Sequence, residues 1–443
     1  MYLFRSIVFL SIATGCTGSE DPSQISYNED VKPIIDEHCV SCHTEGDIAP
    51  FPLDSYLAVE EVKDLVVMAV ENESMPPWPP NDECNTYQNV RKLSEASKNT
   101  LTEWATGDAA EGNSVQSDTD TDTDESLPFD VSLQIAEPYT ATQSPDDYRC
   151  HVIEWPNEEE VFVTGFQVFP DQAALVHHVI AFGIAPEQAE LYRGYDEAEE
   201  GPGYTCFGSP NPVGAGGSAF SALQWLGSWA PGGRERAFPE DTGIRVRPGS
   251  LVVVQVHYNT TTVQAVPDQT QIKFRVTDSV EKPAVIAPYT NPTWLYGASS
   301  MAIPAGEESV SHSISADIID WDLIDYIAPG SGINDANGLQ IHSLGLHMHQ
   351  LGKSGRLSIQ RANGDSECLL QIDDWDFNWQ GSYFLEQSTV LHAGDKLKLE
   401  CEWDNSAANQ PVIDGVKQEP QDVAWGEGTG DEMCLGILYM TEP

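Results

Sequence analysis

Residues 107–128 divide the chain. Hydrophobic periodicity is lost from Gly107 to Pro128, and within that stretch Ser117-Asp118-Thr119-Asp120-Thr121-Asp122-Thr123-Asp124 alternates small hydroxyls with carboxylates. Such a run buries no apolar surface and repels itself, so it cannot be threaded through a packed core. The chain must therefore fold as a shorter N-terminal body and a longer C-terminal one. Residues 108–128 are expected to be an acidic, disordered linker that tethers the two without fixing them. Before it, apolar residues recur at helical spacing. After it, short Val/Ile/Thr/Tyr runs broken by Gly and Pro alternate at the strand period, and 35 Gly and 29 Pro favour β structure.

Residues 1–16, MYLFRSIVFLSIATGC, carry one Arg, an apolar stretch too short to span a bilayer, and small residues before Cys16. They read as an export signal of lipoprotein type, with Cys16 as a lipid anchor point. The mature chain is then expected in the periplasm or on the outer membrane or cell surface of a bacterium, where disulfides persist. Within residues 25–107, positions 30–36 and 59–70 have helical character, and 93–104 closes the unit with Ser94 as N-cap. Cys39-Val40-Ser41-Cys42-His43 is a C-x-x-C-H sequence, in which two thiols form thioethers to haem vinyl groups and the His supplies the proximal imidazole. Met75, in Glu73-Ser74-Met75-Pro76-Pro77-Trp78, resembles the distal-ligand loop of small cytochromes c. Residues 25–107 are thus expected to form a small all-α monohaem cytochrome c, its haem c held by Cys39, Cys42, His43 and Met75. His/Met ligation raises a haem's potential, which suits a donor to copper.

In Leu346-His347-Met348-His349-Gln350 the two imidazoles stand at i, i+2, so a strand would point His347 and His349 to one face and Met348 to the other. That is half of a metal site. His177 and His178 are adjacent, so both can serve one metal only where a strand ends or bulges. His257 ends the apolar run at 251–256. Three imidazoles suit copper or zinc alike, but Met433, in Gly430-Asp431-Glu432-Met433-Cys434, is a soft thioether that favours Cu(I). The formal net charge of −49, from 70 acidic and 21 basic residues, argues against nucleic acid or an anionic membrane surface as partner.

Val176-His177-His178, Gln255-Val256-His257-Tyr258, His347-Met348-His349-Gln350-Leu351-Gly352 and Asp431-Glu432-Met433-Cys434 resemble, in order and approximate spacing, the motifs of the copper type II, ascorbate-dependent monooxygenases. The resemblance implies a mainly β fold of two tandem antiparallel, jelly-roll-like β-sandwiches, at 129–283 and 284–443. It implies two mononuclear copper ions facing across an open cleft. His177, His178 and His257 would hold an electron-transfer copper; His347, His349 and Met433 would hold the one that binds O2. The implied reaction is hydroxylation of a C–H bond in a small organic substrate, each copper storing one electron. An external donor, a redox protein or an ascorbate-like reductant, would refill them, here through the attached haem. The alternative is an exported copper and haem electron-transfer protein that hydroxylates nothing. Peptide-hydroxylating relatives carry Arg where this chain has Gly345, and Asn and Tyr where it has Leu435 and Ile437, so an apolar or neutral substrate is expected. The resemblance further implies Cys150–Cys206 and Cys401–Cys434 disulfides. It leaves Cys84 and Cys368 either free or paired with each other.

Overall fold

The computed structural model describes residues 25–45, 49–113, 128–212, 224–230, 236–260, 263–295, 301–413, 416–426, 428 and 430–443. The signal-like segment with Cys16, and the Ser/Thr-Asp run at 117–124, lie outside the described residues.

Among the described residues of 25–113 the regular elements are helices. A π-helical turn at Tyr27–Val31 leads into α1, Lys32–His38; α2 spans Tyr56–Glu71 and α3 spans Glu95–Thr106. Short hydroxyl side chains set the starts: Ser55 accepts from the Ala58 N–H, and Ser94 from that of Ser97 at 3.0 Å. Tyr27, Val31, Ile35, Val59, Leu101 and Trp104 close on one core. Residues 108–113, expected to begin the linker, belong to this unit instead. Ala109 is buried, and the Ala110 carbonyl accepts from the Tyr27 N–H at 2.8 Å and the Trp104 Nε1–H at 3.0 Å. Two orphan donors draw the chain back onto the helices, although its sequence is polar and glycine-bearing.

The remainder is mainly β. Leu251–Asn259 lies between Asp146–Glu154 and Val176–Ile184, and every residue from Leu251 to Tyr258 is buried. Cover on both faces explains why Leu251 to Val256 reads as an apolar run interrupted only by Gln255. In the second half, Leu339–His347 sits between Ser382–Leu391 and Leu435–Thr441, opposite a four-stranded sheet of Val310–Ala316, Lys396–Trp403, Gly352–Gln360 and Ser366–Ile372. Two large apolar cores result, with a smaller one around Phe182, Tyr192, Tyr204 and Leu251 on the other face of the first sheet. The Lys282–Tyr289 strand joins them: it runs parallel to Thr242–Val246 and antiparallel to Leu435–Thr441. Ala284 packs in the first core and Val285, Ala287 and Tyr289 in the second, so the boundary read at 283/284 falls inside a shared strand.

All three cysteine pairs are present: Cys150–Cys206, Cys401–Cys434 and Cys84–Cys368. The last corrects the picture of a freely tethered N-terminal body. Around it the Asn81 N–H donates to Gln371 O and the Gln88 N–H to Phe384 O, both at 2.8 Å, while Glu386 N–H donates to Thr86 O. Tyr87 is buried in the second core with its hydroxyl on Leu369 O at 3.0 Å, and Trp78 packs edge-on against Tyr87 and Tyr383. Residues 78–88 therefore satisfy strand edges that would otherwise face water. The segment between α2 and α3 is thus pinned to the second sandwich.

Candidate metal centres

His177 and His178 reach one place through a bulge. Along the Leu251–Asn259 strand His257 faces His178, but Tyr258 faces Val176, so His177 is the extra residue. Its ring turns to the same side as its neighbour's. The ligand-capable nitrogens of His177, His178 and His257 all lie within 4.8 Å of one another. His257 Nδ1 stands 3.2 Å from His178 Nδ1, and the buried His177 Nδ1 has no hydrogen-bond partner. Asp146 fixes the tautomer. A carboxylate only accepts, so His257 Nε2 donates to Asp146 Oδ1 at 2.8 Å and leaves Nδ1 with a free lone pair. Tyr148 covers the far face of His257, stacked at 4.0 Å and 7°.

His347 ends the Leu339–His347 strand and His349 follows, their rings 5.0 Å apart, while Met348 is fully buried in the second core. The alternation expected from i, i+2 spacing holds. Here too acceptors set the tautomers. His347 Nδ1 donates to Gln380 Oε1 at 2.5 Å and His349 Nδ1 to Asp431 O at 3.0 Å, which frees both Nε2 atoms. Glu432 ties the two segments together: its carboxylate, pushed up to about 7 by burial, accepts from His349 N, Leu351 N and Trp403 Nε1 at 2.7–2.9 Å. Met433 follows directly, buried, and Cys434 is locked to Cys401. Trp375 packs in the core and donates to His349 O at 3.1 Å. His342 bonds Thr441 Oγ1 and has no part in the pair.

Burial keeps these imidazoles neutral. It depresses His177 to about 4, opposed by Asp146 and reinforced by His347, and depresses His349 to about 3. His178 and His257 are lowered mainly by burial, with His347 and His349 close enough to add to the effect. Neutral imidazole is the form that binds a metal, so both sets are chemically ready for one. The two sets face one cavity. Phe377 stands between them, stacked on His177 at 4.9 Å and edge-on to His349 at 6.2 Å. Phe377, Tyr148, Asp146 and Gln380 carried no signal in sequence, being common residue types whose partners lie 33 to 200 positions away.

Both imidazole sets and Met433 line one cavity of about 500 Å³. Its N-terminal wall is made by residues next to the C-x-x-C-H motif, Glu37, His38 and Ser41, and by Pro77, Trp78 and Pro79 beyond Met75. Cys39, Cys42 and His43 share one turn, with the Cys42 and His43 N–H groups both on Cys39 O. Cys39 and Cys42 are half-buried and outside any disulfide, whereas the other six described cysteines are bridged; burial and the neighbouring Cys42 push the Cys39 thiol up to about 12. His43 Nδ1 donates to Phe51 O at 3.0 Å, leaving Nε2 available. Met75 follows α2, its N–H on Ala69 O.

Family models agree with this arrangement. The N-terminal domain of the copper type II ascorbate-dependent monooxygenases matches residues 133–265, and the C-terminal domain matches residues 298–442. The chain belongs to that family. Among its curated relatives, DBH-like monooxygenase protein 1 of Gallus gallus is 24% identical over 303 residues, covering 66% of this chain and 44% of that protein. The Homo sapiens protein of the same name is 22% identical over 277 residues, 60% of this chain and 39% of its own. DBH-like monooxygenase protein 2 of Mus musculus is 26% identical over 274 residues, 60% and 38%. The matched region thus spans less than half the length of these relatives. A likeness to oxalate decarboxylase of B. subtilis, at 5% identity and a TM-score of 0.10 over 64% of this chain and 80% of that one, carries no argument.

Proposed function

We propose that this protein is an exported copper-dependent monooxygenase that hydroxylates a C–H bond of a small organic molecule, with electrons supplied through a haem covalently attached at Cys39 and Cys42. The single observation that carries this reading is the shared cavity, which meets both imidazole sets, Met433 and the flank of the C-x-x-C-H motif. Hydroxylation by O2 places one oxygen atom in the C–H bond and the other in water, and consumes two electrons and two protons. Bound copper supplies one-electron storage at each set and O2 activation at the one bearing the thioether, and a bound haem supplies electrons singly.

The chain's own residues do the rest. His177, His178 and His257 would hold one copper through Nδ1 atoms, with Asp146 keeping His257 in the required tautomer. His347 and His349 would hold the other through Nε2 together with Met433, the imidazoles oriented by Gln380 and the Asp431 carbonyl. Glu432 and the Cys401–Cys434 bridge keep Met433 beside the pair. His43, with Nδ1 engaged by Phe51 O, and Met75 would hold the haem iron. Tyr148 and Phe377 exclude water from the faces of His257 and His177.

The reading is tested by producing the full chain in a bacterium that matures c-type haem, then titrating copper while following its EPR spectrum and O2 uptake. Two coppers per chain, one lost in His257→Ala and the other in His347→Ala, a thioether-shifted haemochrome, and substrate-dependent O2 consumption are expected. Copper uptake unaffected by either substitution would sink the copper assignment. Copper and haem without O2 consumption on any substrate would favour the electron-transfer alternative.

A further inference from the structure

We infer that the cavity takes an uncharged, ring-bearing apolar molecule, and that the N-terminal segment, through Trp78, supplies part of its recognition surface. This rests on the monooxygenase reading only for what is done to the molecule. The cavity volume of about 500 Å³ falls in the range that encloses a small organic ligand.

Charge is depleted where it would be most expected. Over the whole chain 70 of 443 residues are acidic, yet among the described residues of the lining only Glu37 and Arg91 bring formal charge, and they cancel. A groove left over between two sandwiches of so acidic a chain would be lined with carboxylates. Among the described lining residues an ammonium finds only Glu37, and a carboxylate only Arg91, to replace its lost water, both on the N-terminal wall. Restoring the Arg with which peptide-hydroxylating relatives grip a carboxylate would need the Gly381 carbonyl to give way, because a Cβ at Gly345 would stand 3.0 Å from its oxygen.

Aromatic surface is enriched instead. Four of the chain's 11 Trp line the cavity: Trp78, Trp225, Trp229 and Trp379. Flat rings recognise flat rings by stacked and edge contacts, which charged groups do not improve. Trp78 is the one that no sandwich contributes. It is held rigid by edge contacts to Tyr383 at 5.4 Å and Tyr87 at 6.3 Å, with the Cys84–Cys368 bridge six residues on, so this wall is preorganised.

The test is isothermal titration of the full chain, with and without copper, using three probes that share one ring: indole, tryptamine and indole-3-acetate. Indole is expected to bind about tenfold or more tightly than either charged analogue. Trp78→Ala should weaken indole by about tenfold and Trp78→Phe by under about threefold, with the copper EPR spectrum of both unchanged. Val90 is 44% exposed and lines the same wall, so Val90→Asp, which should fold normally, is expected to weaken indole as well. A charged probe that binds as tightly as indole overturns the substrate class. Indole affinity untouched by folded Trp78→Ala, or by Val90→Asp if the first does not fold, overturns the role of the N-terminal wall. Failure to load copper in the same preparation counts against the monooxygenase reading alone, because the probes are also titrated without metal.

Discussion

Replacing Asp146 by Ala should weaken one copper site and spare the other. The Asp146 carboxylate accepts from His257 Nε2 at 2.8 Å and from Asn259 Nδ2 at 3.1 Å, and His257 is 1% exposed. Without that acceptor a buried imidazole N–H is left unpaired, and nothing selects the tautomer that presents Nδ1 beside His178. An unsatisfied buried donor costs roughly 1–3 kcal/mol. Loss of an outer partner of a metal-binding His typically costs 10- to 100-fold in affinity, or about 1.4–2.7 kcal/mol, so the two estimates agree. His347 and His349 keep their own partners, Gln380 and the Asp431 carbonyl, so their affinity should change less than about threefold. The assay is chelator competition with EPR counting of each copper, with Gln380→Ala as the reciprocal variant. Equal losses at both sites, or none at the first, would refute the tautomer argument. Asp146→Asn, which keeps an acceptor oxygen, should fall between wild type and Asp146→Ala.

Three further outcomes follow from the same geometry. Glu432→Leu strands three buried N–H donors and should destabilise by about 3 kcal/mol or more, read as a fall in Tm. Buried neutral histidines make the metal-free chain acid-sensitive. With His151 and His177 held near 3 and 4 against about 6.5 unfolded, the folded state binds fewer protons, and stability should fall by up to about 1.4 kcal/mol per pH unit for each as pH drops from 6.5 toward 4. Glu432, raised to about 7, acts in the opposite sense between about 4.5 and 7, so urea midpoints in Glu432→Gln should fall more steeply with acid than in wild type. Cys84→Ser with Cys368→Ser opens a bridge across 284 residues, worth on the order of 5–6 kcal/mol by loop entropy, and should expose residues near 80–88 to limited proteolysis before the sandwiches unfold.

Periodicity carried the reading as far as local physics reaches. Spacing i, i+2 placed His347 and His349 on one face, the Ser94 cap located α3, and the adjacency of His177 and His178 posed the condition that the bulge opposite His257 and Tyr258 meets. What local sequence could not carry was long-range pairing of backbone. Residues 78–88 have no periodic pattern, and their partners at 368–386 are nearly 300 positions away, so docking of this segment had no sequence signature beyond two unassigned cysteines. The groups that orient the imidazoles were hidden for a related reason: an Asp, a Gln and a backbone carbonyl acquire their role only from where the sheet puts them.

The most direct measurement is anaerobic stopped-flow on the full chain with both coppers oxidised, haem reduced beforehand and no ascorbate, following the ferrous haem band. Because the N-terminal segment lines the cavity that holds both imidazole sets and is bridged to the second sandwich, the proposed transfer from haem should be intramolecular: one electron per chain leaves the haem, first order, independent of protein concentration, and abolished by removing copper. A haem that stays reduced beside two Cu(II) ions, or that oxidises only in proportion to protein concentration, would contradict electron supply through the attached haem.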